Sequence, residues 1–221
     1  MAQAVLKNEI ASPQSAASQE TASVPQPHKE VAQIWPARRR WTREEFEKAG
    51  TLGIFGPEER LELIGGEIVE KMTQNSPHAT AINLTAECIH AILTGGFHLR
   101  LQEPLNLGDS QPEPDVALVT GKIRDYAQQH PTTALLIVEV SDTTLSFDRL
   151  TKASLYAQAD IADYWVLNLT DRVLEVHRNP APLSGYPFGH FYRSITTYPD
   201  TASIAPLATP DQAIVVADLL P

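Results

Sequence analysis

The sequence predicts an α/β domain, a mixed β-sheet core flanked by helices and preceded by an N-terminal helix and hairpin. Three observations carry this. Short apolar runs rich in β-branched residues, at 116–119, 135–140 and 164–169, are separated by polar or helical stretches. The run Ala134-Leu135-Leu136-Ile137-Val138-Glu139-Val140 is apolar at all but one position, as a strand buried on both faces should be. Residues 172–178 alternate after a short turn at Thr170-Asp171, which predicts antiparallel pairing with the strand before them.

In chain order, residues 1–33 are rich in Ala, Ser, Gln, Pro and Glu without a helical or strand period, and read as a disordered tail. A single domain over 34–221 is expected to follow. Arg38-Arg39-Arg40 marks its edge, as a nucleic-acid contact or a solvated triplet. Thr42-Arg43-Glu44-Glu45 is a capping box that opens a helix, and Gly50 can stop it. Residues 60–64 and 67–72 alternate on either side of Gly65-Gly66, a hairpin signal. Ser76-Pro77 predicts an N-cap followed by proline at the first helical position, and Ile82, Thr85, Ala86, Ile89, Ile92 and Leu93 give that helix its apolar stripe up to Gly95. Strands are expected at 99–105, 116–119 and 135–140, with a helical turn in the polar connection 120–133. A helix at 146–159 leads to the strand 164–169. The remainder is punctuated by Pro and Gly and ends in the apolar segment 213–220.

Composition narrows the function. Formal net charge is −10, and residues 41–221 hold 12 basic and 24 acidic side chains. A protein that coats duplex nucleic acid usually carries the opposite sign, so any nucleic acid must be met by a local basic groove and by metal ions. No apolar stretch approaches the roughly 18 residues that span a bilayer, and the N-terminus lacks the layout of a secretory signal. The single cysteine, Cys88, excludes an intramolecular disulfide and suits a reducing cytoplasm; inside a helical pattern it reads as a buried, inert thiol. Phosphate-loop, nucleophile-elbow and paired-cysteine zinc patterns are absent. His78, Cys88 and His90 share one helix, but their spacing does not bring three ligands to one face.

What remains is a group of charged residues in apolar surroundings. Glu139 lies in the most apolar run, Asp115 opens the strand before it, and Lys152 sits on the helix after it. Two carboxylates on neighbouring strands repel one another and so favour a bound divalent cation with an activated water. Each residue also has a simpler reading: Asp115 as a turn cap, Glu139 as an outward residue on a half-exposed strand, Lys152 as the helical partner of Asp148 four residues before it.

The wider pattern resembles a known family. Pro114-Asp115, then Ile137-Val138-Glu139-Val140-Ser141, then Asp148-x-x-x-Lys152-x-x-x-Tyr156-Ala157, then Asp163-Tyr164-Trp165-Val166-Leu167 is similar to the Uma family of bacterial restriction-type endonucleases, within the PD-(D/E)XK nuclease superfamily. Glu62-Leu63-Ile64-Gly65-Gly66-Glu67-Ile68 resembles the family's Glu-Leu-Ile-Asp-Gly-Glu segment with Gly65 in place of Asp, and Ser76-Pro77-His78 resembles its entry to the long helix. The resemblance covers the chain from Trp41 to Asp218-Leu219-Leu220.

It implies a restriction-endonuclease-like fold and an Mg²⁺- or Mn²⁺-dependent endonuclease acting on nucleic acid, most naturally DNA; the cysteine reading adds a cytoplasmic setting, and double-strand cleavage by two-fold symmetry adds the expectation of a homodimer. Asp115 and Glu139 match the motif carboxylates that bind metal, with the Val140 carbonyl beside them. The superfamily lysine, two residues after the glutamate, is Ser141 here; Lys152 matches the place to which that lysine has moved in this family. Glu62 matches an acidic residue that completes or orients the metal site, and His78 is expected to make a helix-start hydrogen bond. The competing expectation is a catalytically inactive module that keeps the fold for nucleic-acid or protein interaction, which the acidic balance and the displaced lysine favour.

Overall fold

A helix and a hairpin precede the central sheet in the computed structural model, which describes residues 38–93 and 95–221; the expected tail at residues 1–33 lies outside them. Helix α1 (Arg43–Thr51) begins at Thr42, whose hydroxyl accepts from the Glu45 N–H while the Glu45 carboxylate accepts from the Thr42 N–H. The predicted capping box is therefore present, although the helix runs one residue past Gly50. Strands β1 (Leu61–Ile64) and β2 (Glu67–Glu70) pair antiparallel through Gly65 and Gly66, at φ +57° and +77°. A two-residue turn of this hand needs two left-handed residues. A Cβ on Gly66 would also come within 2.7 Å of the Arg40 Cβ, so the position excludes side chains on space as well as on conformation.

Helix α2 (Ser76–Ile92) is capped by Asn75 rather than by the expected Ser76; the Asn75 Oδ1 accepts from the His78 N–H at 3.0 Å. Asn caps as well as Ser, and one residue earlier it leaves Pro77 harmlessly in the first turn. Its buried residues Ala81, Ile82, Thr85 and Ile89 follow the predicted stripe. Cys88 is half-buried rather than buried, being one residue off that stripe.

Strand β3 (Phe97–Leu101) is displaced from the expected 99–105, because Gln102 turns to φ +52° and Pro104 follows. β4 (Val116–Thr120), a short 3₁₀ turn at Ile123–Tyr126 and β5 (Leu136–Ser141) come next. The helix expected at 146–159 is divided into a turn α3 (Leu145–Phe147), a π-helical turn at Asp148–Lys152 and α4 (Ala153–Gln158). β6 (Asp163–Asn168) and β7 (Val173–Pro182) pair antiparallel as predicted. β8 (His190–Pro199) was not expected from the sequence, and β9 (Ser203–Ile204) and β10 (Ile214–Val215) form a small separate ladder before the 3₁₀ turn Val216–Leu219.

The sheet order is β3-β4-β5-β6-β7-β8, and only β5 and β6 run parallel, joined by the helical crossover. Residue parity sorts the side chains. Val116 and Leu118, Leu136, Val138 and Val140, and Trp165 and Leu167 pack against α2 and the C-terminal turn. Ala117 and Val119, Ile137, and Tyr164 and Val166 pack against α4 and the hairpin. Alternation sends successive side chains to opposite faces, so Asp115 and Glu139 belong with Ala117 and Ile137 on the α4 side.

Candidate active site

Strand register brings the two carboxylates together. β4 and β5 are antiparallel with Val116 opposite Val138, so Asp115, just before β4, stands beside Glu139. The Asp115 N–H reaches Glu139 Oε2 in a long contact of 3.4 Å, and the Val140 N–H donates to Asp115 Oδ2 at 2.9 Å. Gln102, turned inward by its left-handed backbone, donates from Nε2 to Asp115 Oδ1 at 3.1 Å. Both carboxylates are buried, at 5% and 3% exposure.

Lys152 arrives from the other layer. The π turn is closed by the Ala153 N–H donating to the Asp148 carbonyl, five residues back. Such wide turns recur at functional sites because they reposition a helix face. Asp148 is tied to the end of β5: its Oδ2 accepts from the Ser141 hydroxyl at 2.8 Å and from the Thr144 hydroxyl at 2.6 Å. Ser141, standing where the superfamily pattern has lysine, thus anchors the turn that carries Lys152. Lys152 Nζ donates to Glu139 Oε1 at 2.9 Å and to Glu62 Oε1 at 3.2 Å. One turn later Tyr156 donates its hydroxyl to the same Glu139 Oε1 at 2.6 Å. With two donors on Oε1, the other oxygen of Glu139 is left lightly bound.

Glu62, on β1, is 2% exposed, so the hairpin carboxylate is a core residue. Its Oε1 accepts from the Glu113 N–H at 2.9 Å and lies 3.4 Å from Lys71 Nζ, besides Lys152. Lys71 Nζ donates to the Glu113 carbonyl at 2.6 Å. A cleft of about 340 Å³ runs between these elements, lined among others by Glu62, Lys71, His78, Asp115, Glu139 and Lys152.

Burial pushes the Glu139 carboxyl up to about 7; Lys152 opposes this, while Asp115, Asp148 and Glu62 reinforce it. Burial acts against the Lys152 charge, yet Glu139, Glu62, Asp148 and Asp115 together hold its pKa well above the usual lysine range. Asp115 and Glu62 are also opposed by burial but end below the usual carboxylate range: Asp115 through His78 and Lys152, Glu62 through Lys152, Lys71 and the Glu113 N–H. Asp148 is raised, chiefly by burial. Fully ionised, the four acids Glu62, Asp115, Glu139 and Asp148 exceed the two lysines by two charges. That deficit, with oxygen donors side by side, fits a hard divalent cation. Among the described residues no preformed cluster of three or more His, Cys, Asp or Glu side chains holds a metal. The fit therefore rests on two carboxylates and backbone.

The structure thus brings together Asp115, Glu139, Val140, Lys152 and Glu62. The Asp148–Lys152 helical pair does not form; each finds partners across the fold. His78 makes the expected helix-start bond with its backbone, but its ring faces the site, with Nε2 3.3 Å from Asp115 Oδ2. Cys88 and His90 lie on later turns of α2, and His90 is exposed. Sequence reasoning assigned no site role to Gln102, Lys71 or Tyr156. Only Tyr156 carried a local signal, one helical turn after Lys152.

Comparison with known proteins bears on the family and the fold. The family Uma2, described as "Putative restriction endonuclease", matches residues 43–210. The chain belongs to the Uma2 family. A crystal structure titled as that of "a putative nuclease belonging to DUF820 from Anabaena variabilis" superposes with a TM-score of 0.61 at 14% identity, covering 80% of this chain and 96% of that one. At that identity the likeness speaks for the fold, a restriction-endonuclease-like α/β nuclease fold. No curated protein matches the chain. Among the described residues no helix is long and apolar enough to cross a membrane. Membership places this Uma2 chain with nuclease-type hydrolases, whose substrate is nucleic acid.

Proposed function

We propose that this Uma2 protein is a divalent-metal-dependent endonuclease that hydrolyses phosphodiester bonds, with DNA as substrate. The observation that carries the reading is the position of Lys152. Reaching from the crossover helix, its ammonium lies 2.9 Å from Glu139, in the cleft that Asp115 lines. The acid–acid–lysine set is therefore complete although Ser141 occupies the usual lysine position.

Asp115, Glu139 and the Val140 carbonyl are the groups that would hold Mg²⁺ or Mn²⁺. The chemistry such an ion would supply there is polarisation of the scissile phosphate and a lowered pKa for a water. Lys152, with two of its three N–H groups committed to Glu139 and Glu62, has one left to orient the attacking water or to meet charge growing on phosphate. Glu62 steadies Lys152 through Oε1, which also faces the Lys71 ammonium and the Glu113 N–H. Tyr156 and Gln102 fix the two carboxylates. A homodimer would cut both strands by two-fold symmetry, and the cytoplasm is the expected compartment.

The net charge of −10 is the observation that favours the inactive-module reading. Nicking of supercoiled plasmid in Mg²⁺ or Mn²⁺, wild type beside an identically purified Asp115→Asn variant, decides between them. Cleavage by wild type alone supports the nuclease. Equal cleavage by both removes this site from consideration. Cleavage by neither, together with Mn²⁺-independent DNA binding, favours the module.

A further inference from the structure

His78 carries an unexplained feature. Its Nε2 is buried and has no hydrogen-bond partner. It nevertheless stands only 3.3 Å from Asp115 Oδ2, off the line a hydrogen bond would need. Leaving a buried nitrogen unpartnered is costly. Asn75 caps the backbone of His78 and leaves the side chain free of that duty. The ring lines the same cleft as Asp115, Glu139 and Val140.

Two donor atoms that sit at right angles on one ion, each about 2.1 Å from it, are about 3 Å apart. The 3.3 Å spacing of His78 Nε2 and Asp115 Oδ2 is close to that of neighbouring ligands. We propose that His78 is a nitrogen ligand, beside Asp115, of the divalent cation in this site. The proposal rests on the metal reading of the site and adds a donor to it. The base of α2, rigidly capped, would then be the second element that grips the ion, joining helix to sheet. Chemical selectivity follows. Carboxylate and carbonyl donors alone suit Mg²⁺, whereas an imidazole shifts the preference toward Mn²⁺ and later transition metals.

The test is pulsed EPR of the full-length protein loaded with one equivalent of Mn²⁺, beside calorimetric titrations with Mn²⁺ and Mg²⁺. Expected for wild type is ¹⁴N modulation of the bound Mn²⁺ echo, absent in His78→Gln. The variant should lose roughly tenfold or more in Mn²⁺ affinity and less in Mg²⁺ affinity, so the ratio between the metals narrows. Gln keeps a donor that can hydrogen-bond Asp115, so a His78 that merely positions Asp115 would leave Mn²⁺ affinity unchanged in the variant. Bound Mn²⁺ without ¹⁴N modulation overturns the proposal while sparing the metal site. No Mn²⁺ binding by folded wild type overturns both. An unchanged thermal melt of metal-free His78→Gln shows that the comparison is between folded proteins.

Discussion

Lys152 pairs with Glu139 across two layers of the fold, at 2.9 Å, and not with Asp148, the acid four residues before it. The pairing joins the crossover helix to the middle of the sheet, at a point where both groups are almost wholly buried. A lysine in that position is held charged by the acids around it, and those acids depend on it in turn.

Lys152→Met should therefore have two separable effects. Cleavage should fall by about 10²–10³, the usual cost of removing one donor to developing charge. Breaking a buried ion pair from one side typically costs about 3–5 kcal/mol. That loss should be larger at pH 8 than at pH 6, because Glu139, pushed up to about 7 even with Lys152 opposing the shift, takes up a proton more readily at the lower pH and so sheds its uncompensated charge. Melting curves of the metal-free variant at both pH values check this; equal losses would mean that Glu139 does not feel the missing amine.

Glu62→Gln separates orientation from ligation. The amide can still accept from Lys152, Lys71 and the Glu113 N–H, but with no charge. If Glu62 only steadies Lys152, the turnover rate should fall by about tenfold or more while the Mn²⁺ dissociation constant moves less than twofold or so. A large loss of Mn²⁺ affinity would make Glu62 a ligand.

Metal uptake should release protons. Glu139, raised to about 7 by burial, is protonated in much of the metal-free protein at pH 6, and a ligand must be deprotonated. Mn²⁺ titrations at pH 6 in buffers of different ionisation enthalpy should show up to about one proton released per ion, falling toward none by pH 8.5. A release that does not change with pH would place the ion away from Glu139.

A second titrating group lies outside the cleft. His177, on β7, packs against Tyr164, Phe191 and Tyr192 with both ring nitrogens unpartnered. Burial pulls its pKa down to about 4; Glu175 opposes this and Arg149 adds to it. The folded state thus binds fewer protons than the unfolded chain between about 6.5 and about 4. Protonation of His177 takes nothing from the fold above that window, and stability is lost as pH falls through it, by up to roughly 3 kcal/mol. His177→Phe keeps an aromatic ring in an aromatic pocket and removes the titration. Denaturant melts should show the variant gaining on wild type from pH 7 to pH 4.5; parallel curves would contradict a neutral buried His177.

The sequence made the site's acids legible because their signals are local: a carboxylate inside an apolar run, a proline before an aspartate, glycines at a turn. Parity then does the rest, since Asp115 and Glu139 reach one face by counting residues from Ala117 and Ile137. Lys152 was legible only by resemblance; its own surroundings pointed to Asp148. Gln102 and Lys71 were not, because each becomes a site residue through a backbone reversal or a carbonyl 42 residues distant, and neither leaves a periodic trace. β8 was hidden for a similar reason. Only its Phe191 and Tyr192 are buried, so its ten residues show no alternation to read.

The turn at Asp148–Lys152 has one more consequence. Its upstream end is fastened to β5 through Ser141, and its downstream end continues into a helix packed on the sheet. Between these fixed ends the chain must hold the right number of residues, not merely the right kinds. Losing one would leave every strand intact and every catalytic residue type present, yet close the wide turn into an ordinary helical one and, between two fixed ends, shift the residues that the turn carries. The reach of the amine is thus specified by a count, and substitution elsewhere in the cleft could not restore it.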